Sequence, residues 1–169
     1  MSVMTACRRT LALLLVPLLL AACGFQLQGR QQLPSSLRSL YIQTDDAQSD
    51  FVVALRGVLR ASGVTLLPAP AEGAGTLRVL RDDVTERVLT VSARNIPTDY
   101  ELIYRVEVAV DAGGAELLPA EEISLSRIYS FDERRLLAKE RERDLLLDGL
   151  ASDMASVVLR RLGALPGTR

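Results

Sequence analysis

The chain of 169 residues holds two thiols, Cys7 and Cys23, and no histidine or tryptophan. Cys23 closes the run Leu20-Ala21-Ala22-Cys23, which follows Arg8, Arg9 and an apolar stretch from Leu11 to Leu20. A charged start, an apolar middle and small residues before a cut point are the anatomy of a secretory signal peptide. The apolar stretch is about a dozen residues, too short for a spanning helix, which needs about 20. The missing histidine excludes Ser-His-Asp and Cys-His nucleophilic sites, His-ligated zinc and the commonest general base near neutral pH. Carboxylate chemistry of the glycosidase type stays open in principle. The acidic residues, however, lie on solvated faces and in charge runs, and no paired-acid motif stands out. The expectation is therefore a protein that is not an enzyme, with no catalytic residue and no metal.

The order of residues at 20–23 resembles the lipobox of bacterial lipoproteins. That resemblance implies a signal peptide over residues 1–22, cleavage before Cys23, lipid on the Cys23 sulfur and an acyl chain such as palmitate on the new amino terminus. The alternative is an ordinary signal peptide with a cysteine nearby. Gly24 follows the cysteine where an aspartate would look like an inner-membrane retention signal, so the outer membrane is expected. Each buried acyl methylene contributes about 0.8 kcal/mol, and stable anchoring takes more than one chain. Three chains on Cys23 make an effectively permanent anchor, so the covalent lipid is the one non-protein group expected. The mature chain then lies on a membrane without spanning it.

Cleavage leaves 147 residues, the size of one domain. These carry 18 basic and 21 acidic groups. Nothing in that balance points to nucleic acid, which favours a clustered positive face. Cys7 leaves with the signal and Cys23 is consumed by lipid, so no disulfide is expected despite an oxidising compartment. Lys139 is the one lysine among 20 basic residues, an imbalance that codon bias explains.

The elements that must hold any binding group follow from periodicity. Residues 23–36 read as a lipidated tether, with Gly29, Pro34, Ser35 and Ser36. Leu40 and Ile42 alternate with polar neighbours in a first strand, 38–43. Asp45, Asp46 and Ser49 offer helix-start chemistry, Phe51, Leu55, Val58 and Leu59 share a helical face, and Gly63 ends the helix. Val64 to Leu67 is a short apolar piece whose state stays open. Residues 76–92 read as one long strand or two, interrupted at Arg81-Asp82-Asp83. Leu102, Tyr104, Val106, Val108 and Val110 alternate strictly with their neighbours, as a sheet with one buried and one wet face requires. Gly113-Gly114 turns the chain, and Pro119 is expected to keep the next connection irregular. Ile123, Leu125, Arg127, Tyr129 and Phe131 share a face of a last strand. A long helix is expected from a cap at Asp132 to about Leu162, with Leu136, Leu147, Leu150, Ala151, Met154, Val157 and Val158 as its stripe. Its charged middle, Lys139 to Asp144, reads as a solvated surface supported by i,i+4 pairs. The order β-α-β-β-β-α predicts an α+β fold, two helices on one face of a mostly antiparallel four-stranded sheet. The domain is expected over 37–163, with a short tail at 164–169.

Several pieces together resemble a known family. Cys23-Gly24-Phe25-Gln26-Leu27 opens the mature chain, Leu33-Pro34 precedes the first strand, and Gly63-Val64 leaves the first helix. Arg94-Asn95 stands before Tyr100-Glu101-Leu102, and Tyr129-Ser130-Phe131-Asp132 before Leu137-Ala138-Lys139-Glu140. In order and spacing these resemble the lipopolysaccharide-assembly lipoprotein family, LptE. The resemblance implies an outer-membrane lipoprotein facing the periplasm that sits in a one-to-one complex as a plug inside the lumen of the LptD β-barrel. It also implies help in assembling that barrel and binding of lipopolysaccharide on its way to the outer leaflet. Arg94 and Lys139 match basic positions that the family uses for lipopolysaccharide. Taken alone, Arg94 is a surface arginine in a loop and Lys139 one charge in a charged run. Arg105 and Arg127 would either extend a positive patch or pair with Glu101 and Glu107 across the sheet. Loop 93–99 and the hairpin around Gly113 are the candidate partner contacts. A structural accessory lipoprotein of another outer-membrane assembly machine, without ligand binding, is the alternative.

Overall fold

The computed structural model describes residues 33–131 and 136–166. Cys23, the leader, most of the tether, Asp132 and the last three residues lie outside the described residues. The chain enters through a 3-10 turn, Ser35–Leu37, whose Leu37 is fully buried. Strand β1 (Ser39–Gln43) then buries Leu40 and Ile42 and turns Tyr41 to the other face.

Helix α1 (Asp50–Ala61) starts where Ser49 accepts a hydrogen bond from the Val52 amide, filling one of the unpaired donors of the first turn. Phe51, Val52, Leu55 and Leu59 make its buried stripe, while Arg60 is exposed. At its end the amide of Val64 donates to the Leu59 carbonyl and that of Gly63 to the Arg60 carbonyl, each at 3.0 Å, a Schellman motif.

The apolar piece that follows is a strand, β2 (Thr65–Leu67), pairing parallel with β1. The sheet therefore has five strands where four were expected. Three residues carry too little alternation to separate a strand from a buried loop, and pairing with β1 decides it.

Strands β3 (Gly75–Val91), β4 (Pro97–Ala112) and β5 (Ala115–Ser130) are long and antiparallel, and the sheet order is β2-β1-β3-β4-β5. The β4–β5 hairpin closes on Gly113 and Gly114, both at positive φ (61° and 79°), the two-residue turn whose twist matches the strands. Pro119 does not break the connection. β5 runs through it in a bulge, with two residues facing one on β4, and its far side faces no other described strand. The expected interruption at 81–83 is likewise a bulge in one continuous strand, between Val79 and Arg81.

Helix α2 (Leu136–Gly163) packs against α1 and the same sheet face, burying Leu150, Ala151, Met154, Ala155, Val158 and Leu162. Leu147 and Val157, expected in the stripe, are half-buried at its rim. One apolar core joins both helices to Leu40, Leu77, Leu102, Val106, Val108 and Val110. Gly75 sits where a Cβ would come within 2.7 Å of a Leu37 methyl, so the 3-10 turn can lie directly on β3. β1 pairs with β3 only as far as Gln43 and Arg78. Beyond that point β3, β4 and β5 continue as a three-stranded ribbon.

Candidate functional site

The ribbon ends in the β3–β4 hairpin, and this is where Arg94 lies. The turn is well defined. The Ser92 amide donates to the Ile96 carbonyl at 2.8 Å, and the Asn95 amide to the Ser92 carbonyl at 2.9 Å. The Ile96 amide donates to Ser92 Oγ at 3.2 Å. Asn95 takes φ 59°, a left-handed conformation that asparagine tolerates better than most residues. Arg94 is exposed on this turn and makes no ion pair among the described residues.

Below the turn, hydroxyls converge on Asp99. Thr90 donates to its carboxylate, and the Thr90 and Thr98 hydroxyls lie 2.7 Å apart. Hydrogen bonds from Thr90 and Ser130 outweigh desolvation and, with a further one from Thr98, hold the Asp99 carboxyl below its usual range. Tyr100 stacks on Tyr129 at 5.7 Å and meets the edge of Phe131 at 5.6 Å. Three rings thus underlie the hairpin.

Lys139 lies in the first turns of α2, which begins at this same end because Ser130 at the close of β5 pairs with Asp99 at the opening of β4. Its ammonium is 2.7 Å from Glu142, an i,i+3 pair, and its side chain is only 18% exposed. One turn further on, Arg143 lies 2.7 Å from Glu86 of β3, which also accepts a hydrogen bond from the Tyr129 hydroxyl at 2.9 Å. Burial, then the bond to Glu86, pushes the Tyr129 hydroxyl up to about 12. The Glu86 carboxylate in turn raises the Arg143 guanidinium above its ordinary value. This triad ties helix, β3 and β5 together beneath the site.

The fold therefore brings Arg94 and Lys139 to one end, although no hydrogen bond or ion pair joins them among the described residues. It does not add Arg105 and Arg127 as one patch. Arg105 shares its face with Asp83 and Ser124, and Arg127 shares the helix face with Leu102. Arg105 bonds the Thr85 hydroxyl at 3.1 Å, whereas Arg127 reaches Asp153 of α2 at 2.6 Å. Neither meets Glu101, which is taken by Arg87 at 2.6 Å. The Gly113 hairpin stands at the opposite end of β4 from Arg94, so the two loops expected to meet a partner are a strand's length apart.

The Glu86–Tyr129–Arg143 triad was invisible in the sequence, because its members are 43 and 57 positions from Glu86. A second network on the same face joins the Tyr104 hydroxyl to Asp82 at 2.9 Å, with Ser49 bonded to the other oxygen of that carboxylate. The Tyr104 hydroxyl is raised, first by burial and then by its bond to Asp82. The described residues contain no cluster of acidic or thiol groups suited to a metal ion. No described helix is long and apolar enough to cross a membrane.

A family model described as LptE, lipopolysaccharide-assembly, matches residues 37–162. The chain belongs to the LptE family. It is 27% identical over 149 residues to the LPS-assembly lipoprotein LptE of Yersinia enterocolitica, covering 88% of this chain and 72% of that one. Against the LPS-assembly lipoprotein LptE of Pectobacterium atrosepticum it is 26% identical over 161 residues, covering 95% and 87%. Among solved structures, lipoprotein B of Nitrosomonas europaea superposes with a TM-score of 0.69 at 27% identity, over 83% of this chain and 91% of that one. Rare lipoprotein B of Shewanella oneidensis gives a TM-score of 0.67 at 28% identity, over 75% and 94%. The α+β architecture of two helices on one sheet face is thus the LptE fold. LptE is a family of lipopolysaccharide-assembly lipoproteins.

Proposed function

We propose that this LptE-family chain is an outer-membrane lipoprotein, cleaved before Cys23 and anchored there by lipid. It plugs the LptD barrel, helps that barrel assemble, and binds lipopolysaccharide through Arg94 and Lys139 without catalysing a reaction. The observation that carries the binding assignment is the convergence of these two cations, 45 positions apart in sequence, at one end of the ribbon. Phosphate suits a guanidinium through paired donors in a planar fork, and an ammonium through point charge. The laced charges of the exposed sheet face suit a plug, since the lumen of a large barrel is polar and wet.

Replacing Arg94 and Lys139 together by glutamate tests the binding assignment. A hydrogen bond to a charged group is worth about 1.5–3 kcal/mol, so lipopolysaccharide affinity is expected to fall by roughly tenfold or more while circular dichroism is unchanged. Unaltered affinity in a folded variant removes both residues from the site. Cys23→Ala is expected to leave the precursor uncleaved and free of acyl chains, and normal lipid labelling of that variant defeats the anchor. Detergent extraction of native membranes tests the partner. Recovery with one large barrel and bound lipopolysaccharide supports the proposal, and recovery with several assembly lipoproteins instead supports the accessory role.

A further inference from the structure

Two long stretches of sheet edge stay open in the described residues, and they are built differently. Beyond Arg78 the outer edge of β3 presents Arg81, Asp82, Asp83, Glu86 and Arg87, and only its short end, Val88 to Val91, is uncharged. Charged side chains of this kind blunt an edge against pairing. The first half of β5 is guarded in the same way, by Glu116, Pro119, Glu121 and Glu122. The second half is not. Residues 123–130 read Ile-Ser-Leu-Ser-Arg-Ile-Tyr-Ser, with one charge, and that charge is already paired: Arg127 lies 2.6 Å from Asp153. Every second residue there turns its amide and carbonyl away from β4, and Ile128 is 60% exposed.

A groove of about 300 Å³ runs beside this stretch, between β5 and α2. Leu125 and Val157 supply its apolar lining, Ser126 and Ser156 its hydroxyls, and Arg160 a guanidinium with no ion pair among the described residues. An open strand edge flanked by a helix, with a groove between them, is the geometry that takes an added strand. Main-chain bonds supply affinity there, and alternate side chains entering the groove supply selectivity.

We infer that β5 residues 123–130 and the groove beside them receive an extended segment of the partner protein, laid as a sixth strand, with a carboxylate directed at Arg160. The inference rests on the proposed function, in which the chain is held by a large partner. A second copy of the chain fits less well. The stretch 123–130 contains no acid, so a copy of it laid antiparallel offers Arg160 no carboxylate.

The test uses the complex recovered from detergent-solubilised membranes and the free full-length chain. Hydrogen exchange of 123–130 is expected to be fast at alternate amides in the free chain, and slowed by at least about tenfold at those same amides in the complex. Photo-reactive residues at positions 124, 126 and 128 are expected to link to partner positions spaced by two within one segment. Arg160→Glu is expected to lower that yield by roughly tenfold, and Arg160→Lys to retain it. Links to a second copy, to the chain's own N-terminal segment or to scattered partner sites overturn the inference. So does unchanged exchange at 123–130 with the partner bound. If no large partner is recovered at all, it is the proposed function that fails.

Discussion

The helix-covered half of the sheet and the projecting ribbon share the three long strands, yet different forces hold them. In the covered half, Leu77 and Val79 of β3 meet Val110 and Val108 of β4 under both helices, all buried. In the ribbon, Val84 and Val88 occupy the same face, opposite Tyr104 and Tyr100, but are 38% and 48% exposed. On β3 apolar burial gives way there to directed contacts, while Leu102 and Val106 of β4 stay buried opposite them. The Tyr104–Asp82–Ser49 and Tyr129–Glu86–Arg143 networks lie on the helix side, and the Arg87–Glu101 and Arg81–Glu122 pairs on the open side. The covered half supplies stability, and the ribbon supplies a shaped, polar surface at the end where Arg94 and Lys139 stand.

The sharpest break in that comparison is Phe51→Ala, which opens a cavity under α1 and is expected to cost about 3–5 kcal/mol, read as a lower denaturation midpoint of the whole domain. Ser49→Ala joins the two regions, since Ser49 caps α1 and also bonds Asp82. A cost of about 1–2 kcal/mol is expected, with exchange rising around Asp82 as well as in the first turn of α1.

Alkaline titration isolates the ribbon. The folded pKa of Tyr129 is raised from 10.0 to about 12, so its contribution is complete below the ordinary value and is lost as pH climbs through the raised one. Between those two values tyrosinate absorbance is expected to lag for this ring, and exchange near Glu86 to quicken as it ionises. Tyr129→Phe is expected to abolish that pH dependence. The smallest effect is expected from Arg87→Ala, which removes an exposed arginine from a single ion pair worth under about 1 kcal/mol and leaves the denaturation midpoint within error. A larger shift there would mean that the ribbon's open face carries more of the stability than its exposure suggests.

The same division governs what could be read before the structure. Where burial imposes a period, as at Leu102 to Val110 or along Phe51, Leu55 and Leu59, the pattern named the element and its buried face. Ser49 and Gly63 likewise announced the ends of α1 through local chemistry. What stayed hidden depends on residues distant in the chain. Arg127 finds Asp153, and Arg143 finds Glu86, because α2 lies along the sheet in a register no local window contains. The expected pairing with Glu101 and Glu107 failed for Arg127 for that reason, whereas Arg105 turns to Thr85 on the neighbouring strand. β2 is not legible in the sequence because three residues hold less than two periods. Arg94 and Lys139 were named through the family resemblance, and only the fold shows that a hairpin and a helix start meet at one end.

The bulge at Leu80 has a consequence for how this chain can vary in length. Val79 and Arg81 keep their partners, Val108 and Glu107, while Leu80 is the residue to spare. A chain lacking Leu80 would straighten the strand but preserve every later pairing. Losing Arg81 or Asp82 would instead put the following side chains out of phase as far as the next bulge at Leu89, turning Asp83 and Arg87 towards the helix side. Single-residue insertions and deletions among descendants of this sequence are therefore expected to collect at that one position in the first part of the ribbon.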